Sequence, residues 1–208
     1  FGIDLNRNYG IYQYWNSSNG GSSTSPSSDT YRGTSPFSEP ETQAVMNFVN
    51  GRNLQVVQGA HTYGNYIIKP WAWQDPIPTP DDFKFNEYLD DMSKSNNYTT
   101  GTPSETVGYT VRGGADDWYY NDSGHASAIA MTPEVGTSTD GFWPLQSRIV
   151  LLAASTLSQN IYFALSCGPY VEPLKTNLNK DQFNAGESGY FKVDYKNTTE
   201  TIRVNKKA

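Results

Sequence analysis

Between residues 38 and 165 the chain switches repeatedly between two hydrophobic periods, and this alternation restricts its fold more than any other feature. Ser38 and Glu41 are spaced as a capping box, with Pro40 in the first turn. Ala44, Val45, Phe48 and Val49 then recur at helical spacing until Asn50-Gly51. Residues 54–60 read as a strand that runs into His61, and 64–73 as a turn followed by another extended piece. Asp81 is placed to cap a second helix with Phe85, Tyr88, Leu89 and Met92 on one face, and residues 93–104 read as a polar loop. The small and apolar residues 126–132 suit a buried strand ending at Pro133-Glu134. A long helix is expected from about Pro144 to Leu165, where Ile149, Leu152, Ala153, Thr156, Leu157 and Ile161 repeat at i, i+3, i+4. Strands interleaved with helices predict an α/β fold with a mixed central sheet flanked by helices.

Two stretches break the rhythm. Residues 16–36 are rich in Ser, Gly, Thr and Pro and read as a long surface loop. After Gly168-Pro169 the alternation becomes that of strands, with Phe191, Val193 and Tyr195, then Ile202 and Val204. The expected division is therefore 1–168, the larger α/β part, and 169–208, a β-rich appendage or the start of a β-sandwich domain. About forty residues bury little core by themselves, so either the chain continues past Ala208 or this hairpin packs on the first domain.

Charge and composition exclude several functions. Fifteen basic residues against twenty-one acidic ones give a net charge of −6, which is unsuited to binding nucleic acid. The single cysteine, Cys167, rules out an intrachain disulfide and Cys-rich zinc sites. No apolar run reaches the roughly 18–20 residues that span a bilayer. Abundant Gly, Ser, Thr and Asn, high aromatic content and sequons at Asn16, Asn97, Asn121 and Asn197 suit a secreted, periplasmic or otherwise extracellular protein. The polar, motif-like opening at Phe1 reads as an internal start with protein missing upstream.

In open α/β sheets, function gathers at the carboxyl ends of strands. His61 and Glu134 both stand there. Such a pair suits a metal hydrolase, one residue as ligand and the other as general base. Taken alone, a strand-end histidine is more often structural and a strand-end glutamate more often a solvated carboxylate, so both readings stay open on position.

The ordered motifs add a resemblance. Gly2-Ile3-Asp4-Leu5-Asn6-Arg7-Asn8-Tyr9 is similar to the Gly-x-Asp-x-Asn-Arg-Asn-aromatic signature of the M14 zinc carboxypeptidases. Thr30-Tyr31-Arg32-Gly33 with Ser38-Glu39-Pro40-Glu41 resembles the segment that follows it. Ala60-His61-Thr62-Tyr63 with Pro70-Trp71 resembles the third zinc-ligand motif. Residues 109–118, from Tyr109 through Gly113-Gly114 to Asp117-Trp118, resemble the substrate-capping tyrosine and its Gly-Gly…Asp-Trp run. Thr132-Pro133-Glu134-Val135-Gly136 resembles the segment of the general base. Together these cover roughly residues 1–165, as an incomplete catalytic domain.

The resemblance implies zinc as cofactor and a peptide with a free C-terminus as substrate. His61 would be a zinc ligand, Glu134 the general base and Tyr109 a catalytic tyrosine folding over the substrate. Asn6 and Arg7 would hold the terminal carboxylate, a task to which a guanidinium fork is matched, with Thr62 and Tyr63 also contacting substrate. Asp116 would line the pocket for the last side chain and favour Lys or Arg. The family's upstream His-x-x-Glu and oxyanion-stabilising arginine do not occur in this sequence, so the N-terminal part of the catalytic domain is an expected partner, and this chain alone is expected to be inactive. Two rivals remain: an amidase of the same family acting on cell-wall peptides, and a catalytically inactive carboxypeptidase-like module that binds peptide ends or packs in an extracellular assembly.

Overall fold

The computed structural model describes residues 2–75, 77–168, 171–178, 191–197 and 205–207, the last three stretches as backbone alone. The chain divides into two units, Phe1–Phe163 and Ala164–Ala208.

The first unit is built around a short mixed sheet. Its strands are β1 (Val56–Gln58), β2 (Tyr66–Ile68), β3 (Thr99–Gly101) and β4 (Ile129–Glu134), in the spatial order β1-β4-β2-β3. β4 runs parallel to β1 and antiparallel to β2, while β2 and β3 are parallel. The helices are α1 (Tyr12–Trp15), α2 (Pro40–Val49), α3 (Asp82–Ser93), α4 (Pro103–Thr106), α5 (Ala115–Asn121), α6 (Gln146–Ser155) and α7 (Leu157–Leu165). A 3₁₀ turn, Leu5–Arg7, opens the chain. The expected α/β architecture is present.

The core lies where α3 meets the sheet. Phe85, Tyr88, Leu89 and Met92 are all buried, as their spacing requires, against Ile67, Tyr98, Tyr120 and Met131. Full burial of side chains this size contributes roughly 1.5–3 kcal/mol each.

Several local expectations are corrected. Ser38 and Glu41 form no capping box. The helix starts at Pro40 with Glu39 as its N-cap, and the Ser38 hydroxyl instead donates to Glu39 and accepts from Asn8. Asp81 does precede α3, but its carboxylate is drawn away to Lys84 and the Tyr120 hydroxyl. The loop 93–104 contains β3 and the start of α4, because a three-residue strand is too short to show a period. The single helix from Pro144 is two. Thr156 ends α6, its hydroxyl bonded back to the Ala153 carbonyl at 3.0 Å, a local competition that disturbs helices.

Phe163 of α7 joins the core, but most of the large apolar residues on these last helices do not form a core face. Leu145, Ile149, Leu157 and Ile161 are all more than half exposed, as are Trp143 and Val150. The outer edge of β1 has no strand beside it among the described residues.

The second unit contains a three-stranded antiparallel meander, β5 (Val171–Leu178), β6 (Phe191–Asn197) and β7 (Asn205–Lys207), in that spatial order. The alternating Phe191, Val193 and Tyr195 do lie in a strand. Ile202 and Val204 lie outside the described residues, and β5 carried no recognisable alternation.

Candidate active site

The site is assembled by the register of the sheet. Beyond the end of β1, the His61 amide donates to the Pro133 carbonyl at 2.9 Å, and the Val135 amide donates to the His61 carbonyl at 2.9 Å. This bridge sets His61 beside Glu134, the last residue of β4. Nδ1 of His61 stands 3.9 Å from Oε1 of Glu134, too far for a direct hydrogen bond.

Arg7 approaches the same space from the 3₁₀ turn. Asp4 caps that turn by accepting the Asn6 amide at 3.0 Å, and its other oxygen lies 3.7 Å from the Arg7 guanidinium. Arg7 is buried. Its Nε donates to Gly21 O at 2.6 Å and Nη1 to Asn6 O at 2.9 Å. Among the described residues, Nη2 has no acceptor. The Asn6 amide oxygen is occupied by the Ala115 amide, at 3.0 Å.

The three polar residues of the Asn6-Arg7-Asn8 motif have separate tasks. Asn8 is fully buried and purely architectural. Its amide donates to Arg32 O, Ser35 O and Ser38, and accepts from Thr42. The adjacent pair Asp116 and Asp117 is divided in the same way. Asp117 accepts the Ala72 and Trp73 amides at 2.9 Å each and holds that loop in place. Asp116 lines the cavity and accepts the Thr132 hydroxyl at 2.9 Å. Both aspartates begin α5, where the helix dipole favours negative charge.

A cavity of about 270 Å³ is lined by Asn6, Arg7, His61, Thr62, Tyr109, Asp116 and Glu134. Of the residues singled out in sequence, seven therefore meet at one space. Tyr63 is the eighth. It lines the adjoining cleft, which also touches Thr62, Tyr109 and Glu134. Its ring meets Phe142 edge-on, 5.1 Å between centroids. Tyr109 is exposed at the rim. The sequence reading missed Asp4, Thr132 and Phe142. Asp4 and Thr132 fall inside motifs already recognised, while nothing about the spacing of Phe142 marks it.

Burial, then the neighbouring Arg7, depresses the His61 imidazole, partly offset by Asp4. A neutral ring is the form that binds transition metals. Burial and the nearby Asp116 push Glu134 up to about 7, against the opposing effect of Arg7. Burial likewise raises Asp116 to about 7, with the Thr132 hydrogen bond working the other way. His61 thus fits zinc as one ligand. Among the described residues no three His, Cys, Asp or Glu side chains converge as a complete metal site, and zinc ordinarily takes about three protein ligands.

This is an α/β fold carrying a hydrolase-like cleft, in which a neutral imidazole, a carboxyl of raised pKa and a buried guanidinium share one cavity. The family model for zinc carboxypeptidases matches residues 1–158, and the chain belongs to that family. Human carboxypeptidase B2 is 35% identical over 134 residues, covering 58% of this chain and 29% of that protein. Zinc carboxypeptidase A 1 of Drosophila melanogaster is 34% identical over 170 residues, covering 77% of this chain and 38% of that protein. Bovine thrombin-activatable fibrinolysis inhibitor, solved in complex with tick carboxypeptidase inhibitor, superposes with a TM-score of 0.69 at 28% identity, covering 78% of this chain and 56% of that one. The chain thus spans less than two-fifths of these two curated relatives.

Proposed function

We propose that the full-length protein is a zinc-dependent carboxypeptidase, to which this chain contributes the carboxylate-binding wall, the general base and one zinc ligand. The observation that carries the reading is the convergence of Arg7, His61 and Glu134 on one cavity. The remaining zinc donors would come from the N-terminal part of the catalytic domain. Its contact surface would include the bare edge of β1 and the exposed stripe of α6 and α7, both unusual for a finished domain.

Each residue has a task that its environment suits. Arg7 would accept the substrate's terminal carboxylate through its open Nη2 edge, a charge-assisted bond unavailable to an internal peptide segment. Asn6, Thr62 and Tyr63 would flank the peptide. Glu134, at about 7, can take a proton from the attacking water and return it to the leaving amine near neutral pH. Tyr109, at the exposed rim, would close over the bound peptide. The chemistry supplied by bound zinc is polarisation of the scissile carbonyl and acidification of the attacking water. Asp116 would receive the last side chain and favour Lys or Arg, because among the described residues its carboxyl has a hydroxyl donor but no cationic partner. The loop-rich, sequon-bearing composition supports an extracellular or periplasmic setting, and among the described residues no helix is long and apolar enough to cross a membrane.

The test is hydrolysis by the zinc-loaded full-length protein. A blocked dipeptide ending in Lys should be cleaved, its C-terminal amide at least about a hundredfold more slowly, and a peptide ending in Glu poorly. Cleavage of murein peptides alone would sink this reading in favour of the amidase. Binding of the free-acid peptide without turnover would mean an inactive binding module.

A further inference from the structure

Beside the cleft, residues 17–22 form a strap with no regular structure of its own. Its position is nevertheless fixed at several points. The Arg112 guanidinium donates from Nη1 to Ser17 O at 2.5 Å and from Nη2 to Ser22 O at 2.6 Å. One planar fork therefore grips both ends of the strap, a geometry open to arginine and closed to lysine's single ammonium. Asn19 adds a bond to Trp73 O at 2.6 Å. Next to its far end, Gly21 has φ +86°, and a Cβ there would sit 1.6 Å from Thr110 O. Only glycine lets the strap lie this close to the segment following Tyr109.

The strap reaches the site through one atom. The carbonyl of Gly21 takes the Nε proton of Arg7 at 2.6 Å. With Nη1 held by Asn6 O, the guanidinium plane is set, and its Nη2 edge is left for a ligand. The strap otherwise contributes nothing to the cavity lining.

Resting on the reading of Arg7 as the carboxylate clamp, we propose that Arg112 is a positioning residue: by gripping residues 17–22 it fixes the Gly21 carbonyl, which orients the Arg7 guanidinium toward the substrate's terminal carboxylate. Arg112 touches no substrate. Its contribution is to hold an arginine pre-oriented that would otherwise sample several rotamers, so its loss shows in carboxylate binding rather than in the chemical step.

The experiment uses the zinc-loaded full-length protein with Arg112→Ala, Arg112→Lys and Arg7→Met. The probes are 5-aminopentanoate and its primary amide as competitive inhibitors, with kcat and KM for a blocked dipeptide ending in a free carboxylate. Arg112→Ala should raise KM and the Ki of the carboxylate about tenfold, change kcat less than about threefold and leave the Ki of the amide unchanged. Arg112→Lys should restore little, and millimolar guanidinium ion should restore part of the loss in Arg112→Ala. Equal weakening of both inhibitors, or an unchanged carboxylate Ki in Arg112→Ala, overturns the positioning role. Arg7→Met separates the two levels. If it weakens the carboxylate while Arg112→Ala does not, only the strap proposal fails. If Arg7→Met has no effect, the clamp reading fails too.

Discussion

His61 and Glu134 are set side by side by main-chain hydrogen bonds from His61 to Pro133 and Val135, the residues flanking Glu134, yet their side chains stop 3.9 Å apart without bonding. The backbone does the work of bringing them together, so neither side chain is consumed in holding the other. Replacing Glu134 by Gln should therefore leave the fold and metal binding intact while removing the proton acceptor. In the full-length protein, turnover should fall by about two to four powers of ten, with zinc content by atomic absorption unchanged. Retained turnover would show that Glu134 is not the base.

Asp116 gives a pH dependence of definite sign. Its carboxyl ionises at about 7 in the fold but near its ordinary value of 3.8 when unfolded. The folded chain thus holds a proton that the unfolded chain has released. Its contribution is fully present below about pH 4 and is lost as pH rises toward 7. Asp116→Asn should flatten that decline in urea-unfolding free energy measured from pH 4 to 7. A basic ligand reverses the preference, since it needs the ionised carboxylate. Its affinity should rise as pH climbs to about 7 and then level off, and the Asn variant should lose both the affinity and the slope. An unchanged slope in the variant would place the titration elsewhere.

How far the sequence carried the fold can be seen residue by residue. The helix of Phe85, Tyr88, Leu89 and Met92 was legible because its whole apolar face is buried within this chain. The same logic misread Ile149, Leu157 and Ile161, because periodicity reveals that a face is apolar and not what covers it. β3 was hidden because three residues cannot display an alternation. The site residues were legible as motifs, with Asn6, Arg7, His61, Tyr109, Asp116 and Glu134 coming from four separated segments. The hydrogen bonds that orient them were not. Nothing local marks the Gly21 carbonyl as the partner of Arg7, or Arg112 as the fork across residues 17–22, because both bonds depend on how distant loops are laid against each other.

Gly113 offers a test of how tightly the Arg7 segment is laid against the loop before α5. Its φ is +70°, and a Cβ there would come within 2.3 Å of the Arg7 carbonyl oxygen, while its own carbonyl accepts the Tyr9 amide at 3.0 Å. Gly113→Ala should cost at least about 1–2 kcal/mol from the backbone conformation alone, with the close contact adding to it. Thermal unfolding should shift down accordingly. A neutral substitution would mean that this junction relaxes easily, and the close register between Arg7 and Gly113 would then not be what fixes the clamp.

The exposed stripe on α6 and α7 separates a finished surface from an unfinished one. Leu145, Ile149, Leu157 and Ile161 stand at intervals of four, eight and four residues and are all more than half exposed, whereas Thr156, Gln159 and Phe163 are buried. A soluble domain rarely leaves such a stripe to water. If the N-terminal part of the catalytic domain covers it, Ile149→Asp with Leu157→Asp has opposite effects in two settings. In this chain alone, the pair should reduce self-association measured by light scattering and lower binding of a hydrophobic dye, with little change in thermal stability. In the full-length protein, each site would lose roughly 1.5–3 kcal/mol of apolar burial and also strand a carboxylate in the interface. The melting temperature and the bound zinc should then fall together, because the interface would also hold the remaining metal donors against His61. A full-length double variant with unchanged melting and zinc content would show that this face stays in water, and the missing donors would have to approach His61 from another side.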